Sequence, residues 1–327
     1  MNEQKRLFQI ITINSTIVYV FSFLFVYFIY QFITAFIASQ YHLRVIFYYD
    51  QLKFLTPDNS PFWYSDSALT VFGSGPLISI FFAFVFIMMY HRLSKDESLV
   101  KLFFLWGALH FINRLIGSFV IGTIFFLYGS NLIADWLYLG MEIKILLVTI
   151  AIIVQIVIGS YSVFPILVSA NSFKLLKPEY RGQFVKHQVF YPWLFGSIIL
   201  IILYLPKFPL HETLINITML IMLIPVYFKY NNIMLPSIDD ELPVYRLSWR
   251  FIVFLLVFLS FFRIIFGKGI QFGTESENEK GIVEVMIIVG IIIAGLIYQL
   301  IKSYKKRKKR RLEMLAEIQK AIDEQSV

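Results

Sequence analysis

Eight stretches of this 327-residue chain are apolar over roughly the length that a helix needs to cross a bilayer. They lie at about 11–38, 68–90, 102–127, 142–169, 189–206, 212–228, 251–266 and 282–301. At about 1.5 Å of rise per residue, some 20 apolar residues cover the hydrocarbon core. None of the stretches alternates with a period of two, which a membrane barrel would require. The expected fold is therefore all-α: a polytopic membrane helix bundle of about eight transmembrane helices. The first stretch is too long for a signal-peptide core, and no small-residue cleavage site follows it, so it reads as a retained helix.

Composition narrows the class further. Apolar and aromatic residues make up 58% of the chain and charged residues 15%. Soluble domains hold about 45–50% and about 25%. With no cysteine there is no disulfide framework. The net charge of +8 resides in one place, since Lys302 to Arg311 hold eight cations and no acid. Elsewhere bases and acids cancel, so no domain face carries the cationic footprint of a nucleic-acid binder, and nucleic acid is not an expected partner.

Cytoplasmic loops carry an excess of Lys and Arg. Placing Lys5 and Arg6 inside puts twelve cations on inner segments against five on outer ones, even without the C-terminal run. Both termini are expected to be cytoplasmic, in a bacterial cytoplasmic membrane. Pro206 to His211 is a very short link, so 189–228 reads as either a tight hairpin or one broken element. The chain divides into a bundle, 1–301, and a juxtamembrane segment, 302–327. The outer loop 39–67 combines β-branched and aromatic residues with the turn Pro57-Asp58-Asn59-Ser60-Pro61. It reads as short strands or as an aromatic interfacial belt. Asp239-Asp240-Glu241, on an inner loop, lacks the spacing of a calcium loop and reads as a solvated turn.

In the tail, Lys305, Lys306, Arg307, Lys308, Lys309, Arg310 and Arg311 are expected to contact anionic lipid head groups. Leu315, Ile318 and Ile322 then fall on one helical stripe, a short amphipathic helix suited to a cytoplasmic protein partner.

Polar residues inside the spans need a reason, because a charge at the bilayer centre costs about 2.5–3.5 kcal/mol on insertion scales. In the third span His110, Asn113, Arg114 and Ser118 fall at i, i+3, i+4 and i+8, hence on one face. That face should look into the bundle, with Gln155 of the fourth span as the neutral partner for Arg114. No carboxylate is expected at the depth of Arg114. Towards the outer leaflet, Arg263 is expected to pair with Glu142 or Glu284.

The five histidines include no pair four residues apart, and no Walker loop, GxGxxG or GxSxG is present. No cofactor and no metal site is expected. The order of features resembles that of the site-two type of intramembrane zinc metalloprotease. In that family an early span carries HExxH. A strand-rich hairpin follows, then a span opening with a small-Gly-Pro motif, then a polar span containing Asn. Here Tyr30-Gln31-Phe32-Ile33-Thr34 stands where HExxH would lie. Next come the loop 41–64, Phe72-Gly73-Ser74-Gly75-Pro76, and the span with His110, Asn113, Arg114 and Gly117. The resemblance covers roughly residues 25–125. It implies a degenerate, non-hydrolytic member: Tyr30 and Thr34 do not replace imidazoles on zinc, and Gln31 cannot take the proton that Glu would. The expected function is a non-catalytic membrane scaffold or complex subunit. A transporter or channel using the third-span polar face, and a protease-like protein, are the alternatives.

Overall fold

The computed structural model describes residues 2–93, 98–127, 129–170, 173–233, 247, 249–273 and 305. The eighth apolar run with Glu284, the acidic triplet 239–241 and the C-terminal stripe lie outside the described residues. Of the seven juxtamembrane cations only Lys305 is described, and it is exposed.

The described chain is helical, with seven helical segments long and apolar enough to cross a membrane. The longest, α1, runs Asn2–Gln40. A hairpin of β1 (Val45–Phe47) and β2 (Leu52–Phe54) leads to α2, Ser65–Arg92. Then follow α3 (Ser98–Phe125), the short α4 (Asn131–Trp136) and α5 (Met141–Val168). Two short helices, α6 (Phe173–Leu176) and α7 (Pro178–Val185), precede a π-helical turn, Lys186–Phe190. Next come α8 (Tyr191–Tyr204), α9 (Leu210–Lys229), α10 (Trp249–Lys268) and β3 (Ile270–Phe272).

The centre of the bundle is α1. Of its apolar window 78% is buried, against 17% for α5. It packs on α2, α3 and α8, while α3 packs in turn on α2, α9 and α5. In lipid, apolar side chains gain little from meeting each other, so close packing and inter-helix hydrogen bonds must hold such helices together. The chain supplies both. Phe25, Phe86, Phe103 and Phe111 interlock between α1, α2 and α3, with ring centroids 5.3–6.4 Å apart. Small residues let backbones approach. A Cβ on Gly159 of α5 would lie 2.1 Å from the Met222 carbonyl oxygen of α9.

The π-helical turn has a local cause. Pro192 has no N–H to give to the Gln188 carbonyl four residues back. Ser15 of α1 donates to that carbonyl instead, at 2.7 Å, and the Tyr191 N–H reaches back five residues to Lys186. Trp106 of α3 completes the relay by donating to Ser15 Oγ at 3.0 Å. Freed backbone groups at membrane depth are satisfied in this way by neighbouring helices.

The outer loop does form strands. β1 is the middle strand of a three-stranded antiparallel sheet ordered β2-β1-β3, with Val45 opposite both Phe54 and Phe272. Tyr27 of α1 donates to the Tyr48 carbonyl (2.9 Å), and the Tyr49 N–H donates to Phe266 at the end of α10 (3.1 Å). The sheet thus caps the bundle at the C-terminal ends of α1 and α10. Gly273 leaves it in the left-handed region at φ +85°, where a Cβ would strike the Leu43 carbonyl at 2.6 Å, so only glycine fits.

One open reading is decided here, and one expectation needs correction. The segment 189–228 is a helical hairpin, since α8 and α9 are separate helices joined by a short turn around Pro206 to Pro209. Its first arm starts earlier than the apolar run does, because α7 and the π turn continue into α8 as one segment, 178–204. Arg263, moreover, does not pair with Glu142. It donates to the backbone carbonyls of Leu203 and Leu205 and lies 5.2 Å from the Tyr49 ring. The last carbonyls of a helix have no intrahelical donor, so the end of α8 is a ready acceptor for a guanidinium. Glu142 is exposed in the first turn of α5 and forms no ion pair among the described residues.

Candidate functional site

The strongest concentration of buried polarity lies where the middle of α3 meets the first turn of α9. Arg114 is the seventeenth of the 28 residues of α3, and Glu212 is the third of α9. Each is 2% exposed. They form a two-pronged ion pair: Arg114 Nη2 donates to Glu212 Oε1 at 2.8 Å, and Nη1 donates to Oε2. The guanidinium plane lies over two rings of α1, 4.7 Å from Tyr30 and 5.4 Å from Tyr27. Planar, fork-shaped Arg suits this combination of carboxylate on its edge and aromatics on its face. His211 adds a contact, with Nδ1 3.5 Å from Glu212 Oε1.

The expectation that Arg114 lacks a carboxylate at its depth is therefore wrong, and so is the choice of Gln155 as its partner. Glu212 escaped notice because Pro206 to His211 reads as a surface link, which places the next residue at the water. The acid in the first turn of an apolar run, just after Pro209, was the available signal. A helix N-terminus favours a negative charge. What the sequence could not show is depth: α9 begins halfway along α3, so its first turn is already inside the bundle.

Gln155 instead joins Asn113. Its Nε2 donates to Asn113 Oδ1 at 3.0 Å. Asn113 Nδ2 donates to the Ile215 carbonyl at 2.7 Å, and Thr218 Oγ1 lies 3.0 Å from Asn113 Oδ1. One carboxamide thereby ties α3 to α5 and α9. Gly117 sits beside it, where a Cβ would lie 2.3 Å from Thr218 Oγ1. His110 separates from both groups. It turns to α1, edge-on to Tyr19 (4.6 Å between centroids) and to Phe23 (5.4 Å), and its Nε2 makes no hydrogen bond among the described residues. Ser118, the fourth member of the helical face, accepts from the Ser130 N–H at 3.4 Å. Thus one predicted face resolves into contacts with α1, with α5 and α9, and with the segment just before α4.

The segments behind the metalloprotease resemblance also converge. The Tyr30 ring fills the space above Gly75, whose Cβ would lie 2.5 Å from it, and the same ring faces Arg114. Thr34 Oγ1 donates back to the Tyr30 carbonyl at 2.9 Å. Among the described residues no group of three or more His, Cys, Asp or Glu side chains is arranged to hold a metal ion.

Chemically, the arrangement is a set of inter-helix ties. The pair bridges α3 and α9 beneath α1, and the carboxamide cluster bridges α3, α5 and α9. Asn113→Ala removes one acceptor and one donor shared among these ties. Inter-helix hydrogen bonds in membranes are worth about 0.6–2 kcal/mol each. The expected outcome is a lowered heat resistance of the detergent-solubilised monomer, by about 2 kcal/mol, read from the monodisperse fraction left after a graded heating step. No protein-family model matches this chain, and neither does any curated protein or any solved structure.

Proposed function

We propose that this integral membrane protein is a non-catalytic scaffold, one subunit of a membrane complex that holds protein partners in the bilayer and through its cytoplasmic tail. The observation that carries the reading is the dryness of the polar face of α3. His110, Asn113, Arg114 and Ser118, with Gln155 and Glu212, are each at most 3% exposed. Their polar groups are largely spent on neighbouring helices rather than aimed into a cavity. A face used in this way favours a fixed architecture over a substrate route, which speaks against the transporter alternative.

Kinship with the site-two type of intramembrane metalloprotease belongs to the proposal, as a degenerate branch. It is supported by the meeting of Tyr30, Gly75 and Arg114, which brings the three segments of the resemblance to one point. At that point stand an aromatic ring, a guanidinium and a carboxylate already paired to it. Placement in a bacterial cytoplasmic membrane, with both termini inside, is likewise proposed, on the asymmetry of Lys and Arg between the two sets of loops.

The test is co-purification from native membranes after gentle extraction. A partner is expected in near-stoichiometric yield from the full chain and to be lost when residues 312–327 are deleted, while the deleted chain stays monodisperse. A chain that emerges alone, unaffected by the deletion, overturns the scaffold reading. Stoichiometric zinc in the purified protein overturns its non-catalytic part.

A further inference from the structure

A second feature lies along the N-terminal half of α1, at Gln9 to Ile17, several turns ahead of the Tyr27 and Tyr30 rings that face the buried ion pair. Between α1, α8 and α10 is a groove of about 850 Å³. Ligand pockets typically hold about 300–1,000 Å³. Ile13 and Ile17 form its floor, Phe195 and Ile199 one wall, and Ile252 and Leu256 the other. One end is polar, with Gln9, Thr12 and His187.

That end is built. His187 sits on the π-helical turn, its ring stacked on Phe8 at 5.0 Å and edge-on to Tyr191 at 4.9 Å. Thr12 spends its one hydroxyl proton on the Phe8 carbonyl at 3.1 Å. The 2.7 Å contact between Thr12 Oγ1 and His187 Nδ1 is then made by an Nδ1–H donating to the hydroxyl. The second ring nitrogen, Nε2, takes no part in that bond. Lys5 lies one helical turn before Gln9 on the same stripe of α1 and is exposed. Trp249 is 68% exposed and lies on the stripe of Ile252 and Leu256. Trp at such a position marks the head-group level.

The length of the groove decides its occupant. From Gln9 to Ile17 of α1 is eight residues, or about 12 Å of rise. It ends near the next turn, where Phe21 meets Phe254 and Phe258 at 5.3 and 5.0 Å. One leaflet of a core about 30 Å thick measures about 15 Å. A spanning helix would need twice the groove, whereas one acyl chain fits it.

We propose that this groove binds an anionic phospholipid of the leaflet that faces the start of α1. One acyl chain lies along Ile13, Ile199 and Leu256. The phosphate is held at the mouth by Lys5 and Gln9. The site goes beyond the scaffold reading and stands whether or not that reading does.

The full chain, reconstituted into nanodiscs of mixed phosphatidylglycerol and phosphatidylcholine and re-extracted in mild detergent, is assayed for retained lipid per protein by mass spectrometry. Phosphatidylglycerol is expected to be retained about fivefold over phosphatidylcholine, the advantage of one cation near the surface. Lys5→Glu abolishes that preference. Leu256→Trp, which fills the groove from a wall that is 59% exposed and so leaves folding undisturbed, lowers both lipids about tenfold. Phe81→Trp, on the bilayer-facing side of α2, changes neither. Equal retention of the two lipids, or retention unchanged in Leu256→Trp, overturns the proposal. So does a disulfide formed in membranes between Leu256→Cys and Ile293→Cys, because it would show the apolar run 282–301 of this chain in the groove. The chain has no cysteine of its own, so that cross-link has no background.

Discussion

Arg114→Ala is expected to cost about 3–5 kcal/mol, the usual result of stranding one charge of a buried pair. Glu212 is 2% exposed and would be left without the guanidinium that bridges both of its oxygens. The penalty should be higher in the bundle interior than at a surface, where an exposed pair contributes about 0–1 kcal/mol. Glu212→Ala should cost a similar amount, for it leaves Arg114 with only the faces of Tyr27 and Tyr30. Both variants should accumulate poorly and lose the monodisperse peak on mild heating. The informative variant combines Arg114→Met with Glu212→Leu. Replacing a buried pair by apolar residues of similar volume is often neutral or better. The double variant should therefore regain most of the stability that either alanine loses. Full recovery of folding, with co-purification intact, would mean that the pair serves architecture. A double variant that folds and keeps its partner but fails in function would hand the pair to a substrate, and the scaffold reading would fail.

Gly159→Val should be nearly as damaging, for a different reason. The new Cβ would meet the Met222 oxygen, carbon and Cα of α9 at 2.1, 2.8 and 2.9 Å. These are backbone atoms, so no side chain can swing aside, and the two helices must part. Overpacking a fitted interior typically costs about 1–3 kcal/mol, and a backbone obstacle puts this site at or above the top of that range. α5 has little else to hold it, since most of its apolar window faces outward. Parting α5 from α9 would also stretch the Gln155 to Asn113 bond, one turn away. Gly73→Ala is the control: a Cβ there meets nothing within 4 Å. The alanine should stabilise α2 slightly, by about 0.5–1 kcal/mol, because it removes backbone freedom from a helix interior. Heat-resistant yield of the three chains, measured side by side, checks both statements. A Gly159→Val chain as stable as Gly73→Ala would mean that α5 and α9 do not approach this closely.

The helix class was legible because it follows from one-dimensional physics. A backbone in hydrocarbon must satisfy its own hydrogen bonds, and about 20 apolar residues are the length at which a helix does so across a bilayer. The strands of the outer loop were half legible. β-branched and aromatic residues around a turn fit both a sheet and an interfacial belt. Pairing of β1 with β3, more than 200 residues later, is what makes the sheet. The helical stripe through His110, Asn113, Arg114 and Ser118 was also readable, since spacing alone puts those residues on one face.

Which neighbour each of them meets was not readable. Arg263 satisfies helix-end carbonyls that exist only because α8 stops beside it, and no pattern of charges announces a backbone acceptor. Glu212 looked like a loop acid because depth is not written in a chain. It is set by where α9 starts relative to α3, and that depends on how the α8–α9 turn packs beneath the sheet. Sequence by itself determined which segments enter the bilayer, because that choice is made residue by residue against a uniform solvent. Only the tertiary structure decided which polar groups meet inside it, because away from water a side chain that its own helix does not satisfy depends on the neighbour that packing brings to it, and that neighbour is chosen by geometry.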